Sequence, residues 1–296
     1  MKPAPFAYVR PATVEEALGW LKDPEAGAKV MAGGQSLVPM LNMRLAQPST
    51  VVDIGGLKEL STITVETLNG QTMLRVGALV TQRDLEHFVS QDSRWRLLHL
   101  ALKQVGHPQT RNRGTVGGSL MHADPAAELP LALRLLDGSV GLESWDGKRR
   151  VSARDFFQFV YVTAAESDEL LVESWWPAVE PGTGVSFLEF SRRRGDFAIV
   201  AAAALTEVAP DGSLTRLDLA VGGLADAALV IDTQPLLGRP FQADAVRSLL
   251  AERLATVTPP DDMHATSGFR RHLGQVFAAR AVQAALDNGR GRRAPE

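Results

Sequence analysis

The chain has 296 residues, 45% apolar and 22% charged, with a formal net charge of −3 and no cysteine. That length suffices for about two domains with a substantial core, and the charge gives no bulk attraction to nucleic acid or an anionic membrane surface. The lack of cysteine excludes disulfides, thiolate nucleophiles, cysteine-ligated iron–sulfur clusters and most structural zinc sites, and fits a reducing compartment. The N-terminus, Met1-Lys2-Pro3-Ala4-Pro5-Phe6, lacks the apolar core of a signal peptide. No stretch reaches the roughly 18 uninterrupted apolar residues of a membrane span, so a cytoplasmic location is expected.

Residues 8–10 read as a strand. Thr13 and Glu16 form a capping-box pattern ahead of Val14, Ala17, Leu18 and Leu21, which share one helical face. A second strand at 29–32 runs into a glycine loop, Ser36 is placed to cap a helix through about Met43, and 51–54 is a third strand. This is a small βαβ-like unit with its loop at a strand end, where anionic ligands commonly sit, but without Rossmann GxGxxG spacing. Gly55-Gly56 marks the passage to a second subdomain, in which strands at 63–66 and 73–76 flank Asn69-Gly70, a hairpin signal. Helices follow from Thr81 and Asp84, over 94 to about 104, and over 129–136; strands at 139–144 and 169–176 bracket a helix at about 153–160. Two prolines and two glycines between Pro177 and Gly184 read as a linker. Beyond it, strands at 185–190, 198–207 and 214–221 form an antiparallel sheet, with Asp211-Gly212 as a turn, and helices near 244–255 and 267–286 close the chain. Residues 289–296 read as a loose tail. The expected class is α+β: a domain over 1–176, with subdomains at about 1–56 and 57–176, then a sheet-plus-helices domain over 184–288.

Two glycine-rich loops organise this chain. The first is Ala32-Gly33-Gly34-Gln35-Ser36; the second is Gly114-Thr115-Val116-Gly117-Gly118-Ser119, followed by Ala123-Asp124-Pro125 and Glu128-Leu129-Pro130. Glycine admits φ > 0 and lets a ligand touch the main chain, and consecutive N–H groups can converge as a nest on phosphate oxygens. One Gly-Gly pair is ordinarily a turn. Two, roughly 80 residues apart, outline a split diphosphate site. No P-loop is present, and nothing suggests nucleotide hydrolysis.

Longer segments around these loops resemble a known family. Val30-Met-Ala-Gly-Gly-Gln-Ser-Leu-Val-Pro39, Arg44-Leu-Ala-Gln-Pro48 and Val51-Val-Asp-Ile54 are similar to the FAD-binding (medium) subunit of the molybdenum hydroxylases, the xanthine dehydrogenase and carbon monoxide dehydrogenase type. Gly106-His-Pro-Gln-Thr-Arg-Asn-Arg-Gly-Thr-Val-Gly-Gly-Ser119 with His122 to Pro130 resembles its second motif, and Ser191-Arg-Arg-Arg-Gly-Asp-Phe-Ala198 a third. The likeness runs nearly end to end, including Phe269-Arg-Arg-His-Leu273. It implies a PCMH-type FAD domain of two α+β subdomains and a C-terminal sheet-and-helix domain. It also implies electron transfer, with a large molybdopterin subunit and a small subunit holding two 2Fe–2S clusters as partners, assembled as a dimer of heterotrimers.

Carried over by position, the resemblance assigns Val30, Met31, Ala32, Gly33, Gly34, Gln35, Ser36 and Leu37 to the FAD diphosphate, and Thr115, Val116, Gly117, Gly118 and Ser119 to the rest of the cradle. Val105 falls at an apolar or aromatic cofactor contact, Glu128 at a carboxylate contact usually filled by aspartate, Leu171 at an apolar contact near the flavin, and Phe197 beside the isoalloxazine ring. Asp124 is counted with these contacts. Phe197 replaces a common tyrosine, and Glu189 stands where some relatives carry lysine, which leaves flavin charge balance and use of a nicotinamide acceptor open.

Asp124 and Glu128 also admit a paired-carboxylate reading, against which Asp124 before Pro125 is an ordinary turn residue. His107 and His122 suit loop hydrogen bonds better than metal ligation, with no third ligand at suggestive spacing. Arg192, Arg193 and Arg194 read either as a solvated run or as a patch attracting an anionic partner face. No nucleophile–base pair stands out, as suits flavin chemistry, in which the protein supplies binding, orientation and tuning. Two other classes compete: a standalone FAD-dependent oxidase or dehydrogenase, and a non-redox nucleotide-binding or scaffold protein keeping the fold without the flavin.

Overall fold

The computed structural model describes residues 2–289; of the expected tail at 289–296, Gly289 instead ends the last helix, and the rest lies outside the described residues. β1 (Ala7–Val9) leads to α1 (Val14–Lys22), where Glu16 N–H donates to Thr13 Oγ1 at 3.1 Å. The Glu16 carboxylate reaches back to Ala12 N–H at 2.7 Å, closing the capping box one residue early. β2 (Ala28–Met31), α2 (Leu37–Asn42) and β3 (Thr50–Asp53) complete a parallel sheet ordered β1-β3-β2. β4 (Ile63–Leu68) and β5 (Gln71–Gly77) turn at Asn69 and Gly70, with φ of 52° and 81°, as a tight hairpin turn requires.

Five helices follow: α3 (Gln82–Val89), α4 (Arg96–Leu102), α5 (Pro108–Arg111), α6 (Val116–His122) and α7 (Glu128–Leu135). Then come β6 (Ser139–Ser144), β7 (Gly147–Ser152), α8 (Ala153–Phe156), β8 (Phe157–Phe159), β9 (Val162–Thr163) and β10 (Leu170–Pro177). The helix expected over 153–160 stops at Phe156 and gives way to β8, because an aromatic and β-branched run favours pleated backbone. β7 is absent from the sequence reading because four of its six residues are exposed, a glycine and three cations, leaving no apolar alternation. The chain ends in β11 (Gly184–Phe190), β12 (Val200–Val208), β13 (Leu214–Gly222), β14 (Leu229–Val230), α9 (Ala243–Ala255) and α10 (Ser267–Gly289).

These elements form two compact units. The first comprises residues up to 87, 107–123 and 137–177; the second comprises 88–106, 124–136 and the chain from 178 onward. Two helical segments that precede the linker in sequence thus belong with the C-terminal sheet.

In the first unit a five-stranded antiparallel sheet, ordered β4-β5-β10-β6-β7, accompanies the parallel one. Ala17, Leu18 and Leu21 of α1 pack with Val52, Ile54, Leu57, Leu60, Leu79, Leu170 and Val172 in one apolar cluster. Trp176 is fully buried, its Nε1–H donating to Ser174 Oγ at 2.8 Å. On the opposite sheet face Trp175 lies between the guanidinium groups of Arg75 and Arg150, 5.7 and 4.2 Å from its ring centre.

In the second unit the sheet β11-β12-β13-β14 is antiparallel throughout. Ser186 Oγ donates to Ala281 O of α10 at 2.7 Å on one face, while α4 and α7 pack on β11, β12 and β13. A side chain at Gly222 would meet Leu131 of α7, on the face shared with Ala201. Helices therefore cover both faces, which is why residues 201–205 are an unbroken buried apolar run. Arg270, part of the α10 segment resembling the family, is 5% exposed; it donates to Ile199 O at 2.7 Å and pairs with Asp262 at 2.6 Å.

Trp176→Ala should cost about 3–5 kcal/mol, since it opens a cavity where a large side chain is fully buried. Urea unfolding at fixed slope measures this loss; an unchanged midpoint would show that the site collapses around the smaller residue.

Candidate functional site

The two glycine loops meet inside the first unit. A Cβ on Gly33 would lie 2.0 Å from Arg113 O and 3.1 Å from Gly114 Cα, so the main chains touch where only hydrogen fits. Gly34 adopts φ +71°, the left-handed conformation glycine takes without strain. The Gln35 amide folds back on Gly33 O at 3.2 Å. Ser36 is the residue before α2 but makes no side-chain cap, having helical φ and ψ itself. No acceptor among the described residues bonds the N–H groups of Gly33, Gly34, Gln35, Ser36 or Leu37. Five successive donors and a serine hydroxyl remain for a ligand. Val30 and Met31 are the strand residues that feed this turn.

The second loop is built differently from expectation. Val116 N–H donates to Val80 O at 2.9 Å, Gly117 N–H to Ala78 O at 2.9 Å, and Gly118 N–H to Thr115 Oγ1 at 3.1 Å. Ser119 N–H donates to Thr115 O at 3.1 Å. The main-chain nest expected here is thus consumed by the loop's own anchoring. A Cβ on Gly117 would approach Ala78 to 2.6 Å, making this a packing glycine; one on Gly118 would meet Thr115 Oγ1 at 2.8 Å and face Ala32 at 3.9 Å. The second loop walls and braces the first, and the first carries the donors.

Sequence reasoning missed the braces. Gln82, 5% exposed, donates its N–H to Gly114 O at 2.8 Å and sets its carboxamide against Gly114. Arg111 pairs with Glu86 at 2.9 Å, tying α5 to α3. The carbonyls of Ala78, Val80 and Arg113 do the remaining work, and main-chain acceptors leave no signature in residue type. His122 stacks on Tyr161 with ring centres 4.9 Å apart. No group of three or more potential metal-ligating side chains occurs among the described residues. Leu171 is a core position, 2% exposed, beside a bulge of β10. A cleft of 740 Å³ elsewhere on the first unit is lined by Arg75, Arg149, Glu59, Glu143 and Glu173 among others, and by no glycine-loop residue.

The remaining expected positions lie in the second unit. Val105 is buried just after α4, and Glu128 is the first residue of α7, 8% exposed. Asp124 Oδ1 accepts from Ala126 N–H at 2.9 Å, so it acts as a turn residue. Phe197, in contrast, is 67% exposed, on the connection between β11 and β12. Glu189, opposite Ala201, has a buried Oε2 with no hydrogen-bond partner. Burial pushes its carboxyl up to about 7.

The profile described as "FAD binding domain in molybdopterin dehydrogenase" matches residues 4–178, and that of the "CO dehydrogenase flavoprotein C-terminal domain" matches 185–285. The chain belongs to the FAD-binding medium subunits of the molybdenum hydroxylases. It is 34% identical over 292 residues to the 6-hydroxypseudooxynicotine dehydrogenase complex subunit alpha of Paenarthrobacter nicotinovorans, covering 98% of this chain and 97% of the relative. It is 32% identical to the carbon monoxide dehydrogenase medium chain of Hydrogenophaga pseudoflava, with 96% and 98% covered. A solved carbon monoxide dehydrogenase from that organism, lacking the Mo-pyranopterin moiety of its cofactor, superposes with a TM-score of 0.91 at 32% identity, covering 97% of this chain and 99% of the other. FAD fits the residues present in the first unit. Its diphosphate matches a run of five free amides beside a serine hydroxyl, in a turn whose glycines admit close approach.

Gly33→Ala places a methyl group 2.0 Å from a carbonyl oxygen and forces the loops apart, so FAD affinity should fall at least about tenfold. Gly268→Ala, with nothing within 4 Å, should leave it unchanged. Titration of apoprotein followed by flavin fluorescence distinguishes them, and equal affinities would show that the loop contact is dispensable. A separate prediction concerns Glu189, whose carboxyl has an ordinary value of 4.5 when unfolded. Between that value and about 7 the native state keeps a proton that the unfolded state has released, so stability falls as pH rises through this window and levels off above it. Glu189→Gln removes the ionisation. Its melting temperature relative to the parent should rise between about pH 5 and pH 8, and a pH-independent difference would place the carboxyl in water.

Proposed function

We propose that this chain is the FAD-carrying electron-transfer subunit of a multi-subunit molybdenum hydroxylase, passing electrons from iron–sulfur clusters of a partner chain to an external acceptor. The observation that carries the reading is the row of five unbonded amides, Gly33 to Leu37, braced by Arg113-Gly114. When bound, FAD supplies the exchange of electrons between the clusters and the acceptor.

The chain's own residues hold the cofactor. Gly33, Gly34, Gln35, Ser36 and Leu37 donate to the diphosphate, Val30, Met31 and Ala32 position that turn, and Thr115, Val116, Gly117, Gly118 and Ser119 form its wall. Val105, Asp124, Glu128, Leu171 and Phe197 are assigned to further cofactor contact by family resemblance. With no cysteine in the chain, two 2Fe–2S clusters belong to a small partner subunit, which approaches near Phe197. Molybdopterin belongs to a large subunit, where the substrate is chosen. The relatives' names support this division: one is a subunit of a dehydrogenase complex and another a medium chain. The assembly is a dimer of heterotrimers, and a cytoplasmic setting suits a chain without thiols.

Purified protein should bind FAD noncovalently and reject FMN, which lacks the diphosphate that the first loop recognises. Rapid mixing of the assembled enzyme with its substrate should reduce the clusters before the flavin. Flavin reduction first, or reduction of the isolated chain by substrate, would replace this reading with that of a standalone flavoenzyme.

A further inference from the structure

The connection between β11 and β12 is a short, internally fixed tip. Ser191 Oγ donates to Arg193 O at 2.9 Å, Asp196 N–H donates to the same oxygen at 3.0 Å, and Ile199 N–H closes the hairpin on Phe190 O at 2.8 Å. Gly195 supplies the left-handed turn at φ +88°. On this frame Arg192, Arg193 and Arg194 are all exposed, and none of their guanidinium groups has a hydrogen bond or ion pair with another described residue. Elsewhere Arg75, Arg94, Arg111, Arg149, Arg216, Arg247 and Arg253 each pair with a carboxylate.

Three guanidinium groups on successive residues repel one another, and the tip's only acid is Asp196. The tip therefore carries +2 on a chain whose net charge is −3. Local hydrogen bonds hold the turn through the Arg193 carbonyl without recruiting the arginine side chains, whose charge is paired with no described residue. Arginine is also the cation most enriched at protein interfaces, where its planar fork meets carboxylates in pairs.

We propose that this tip is an electrostatic docking element for a partner polypeptide with an acidic contact face, Arg192 to Arg194 pairing with its carboxylates. This rests on reading the chain as one subunit of a multi-subunit enzyme, and it names the chemistry of the partner's face. Phe197 follows three residues after the arginines, so a partner seated on them is held beside the residue assigned to flavin contact. Charge complementarity acts mainly on encounter rate and orientation, and is screened by salt.

The test uses the full chain loaded with FAD and the iron–sulfur subunit that co-purifies with it. Association rates would be measured by surface plasmon resonance across about 50 to 500 mM NaCl. The parent rate should fall about tenfold or more over that range. The R192E/R193E/R194E variant should lose at least about tenfold at the lowest salt and most of the salt dependence, whereas R192K/R193K/R194K should keep both. FAD content and melting temperature, unchanged in both variants, show that the hairpin still folds. Equal rates for the parent and the glutamate variant would overturn the proposal while leaving the subunit reading intact. Retained affinity of the parent for anionic phospholipid vesicles, with salt-independent binding to the subunit, would overturn it in favour of a membrane surface. Failure of any iron–sulfur subunit to co-purify would instead strike the functional reading itself.

Discussion

The approach of Gly33 to the Arg113 carbonyl is the contact on which the candidate site depends. At 2.0 Å from a hypothetical Cβ there is no room for any side chain, so two segments eighty positions apart are joined main chain to main chain. This fixes the first loop against a wall that is itself anchored. Val116 and Gly117 hang from the carbonyls of Val80 and Ala78, and Gln82 holds Gly114. A loop supported in this way can leave five amides unbonded without collapsing onto its own carbonyls. That pre-organisation is what an anionic ligand requires, because donors already in place need no reordering on binding.

Two similar glycine motifs thus do opposite jobs. The first leaves its donors outward and uses Gly34 to turn them. The second spends its donors inward: Thr115 caps α6 through Gly118 N–H, and Gly117 lets that helix settle on Ala78. A helix N-terminus usually offers free amides, but here the first turn is already saturated. Its amides are therefore already spent on the chain's own acceptors.

The second unit follows a different logic, that of a sheet dry on both faces. Helices on either side demand apolar residues over 200–205 of β12, and beside that run Glu189 of β11, opposite Ala201, is conspicuous as a carboxyl with one oxygen enclosed and without a hydrogen-bond partner among the described residues. The same sheet projects a hairpin whose exposed residues are Arg192, Arg193, Arg194 and Phe197, with the turn's hydrogen bonds made by backbone and Ser191. A rigid mount carrying unneutralised charge suits recognition from outside the chain better than support within it.

The sequence by itself determined the elements with a strong local code. The capping at Thr13, the turn at Asn69-Gly70, the apolar spacing of α4 and the continuous run in β12 all follow from interactions within a few residues or from uniform burial. It also marked both glycine loops and, through long matching motifs, the family and its cofactor. Tertiary structure alone decided how the loops share the work, because amide donors look identical in sequence whether they face a ligand or a carbonyl of Ala78. It decided that α4 and α7 join the C-terminal sheet rather than their sequence neighbours, since packing follows apolar faces and not chain order. It ended the helix at Phe156, where the next residues pair with β9 instead of continuing the turn. And it left the guanidinium groups of Arg192 to Arg194 without a partner among the described residues, a fact that residue type cannot show, because pairing depends on which carboxylates the fold brings within reach.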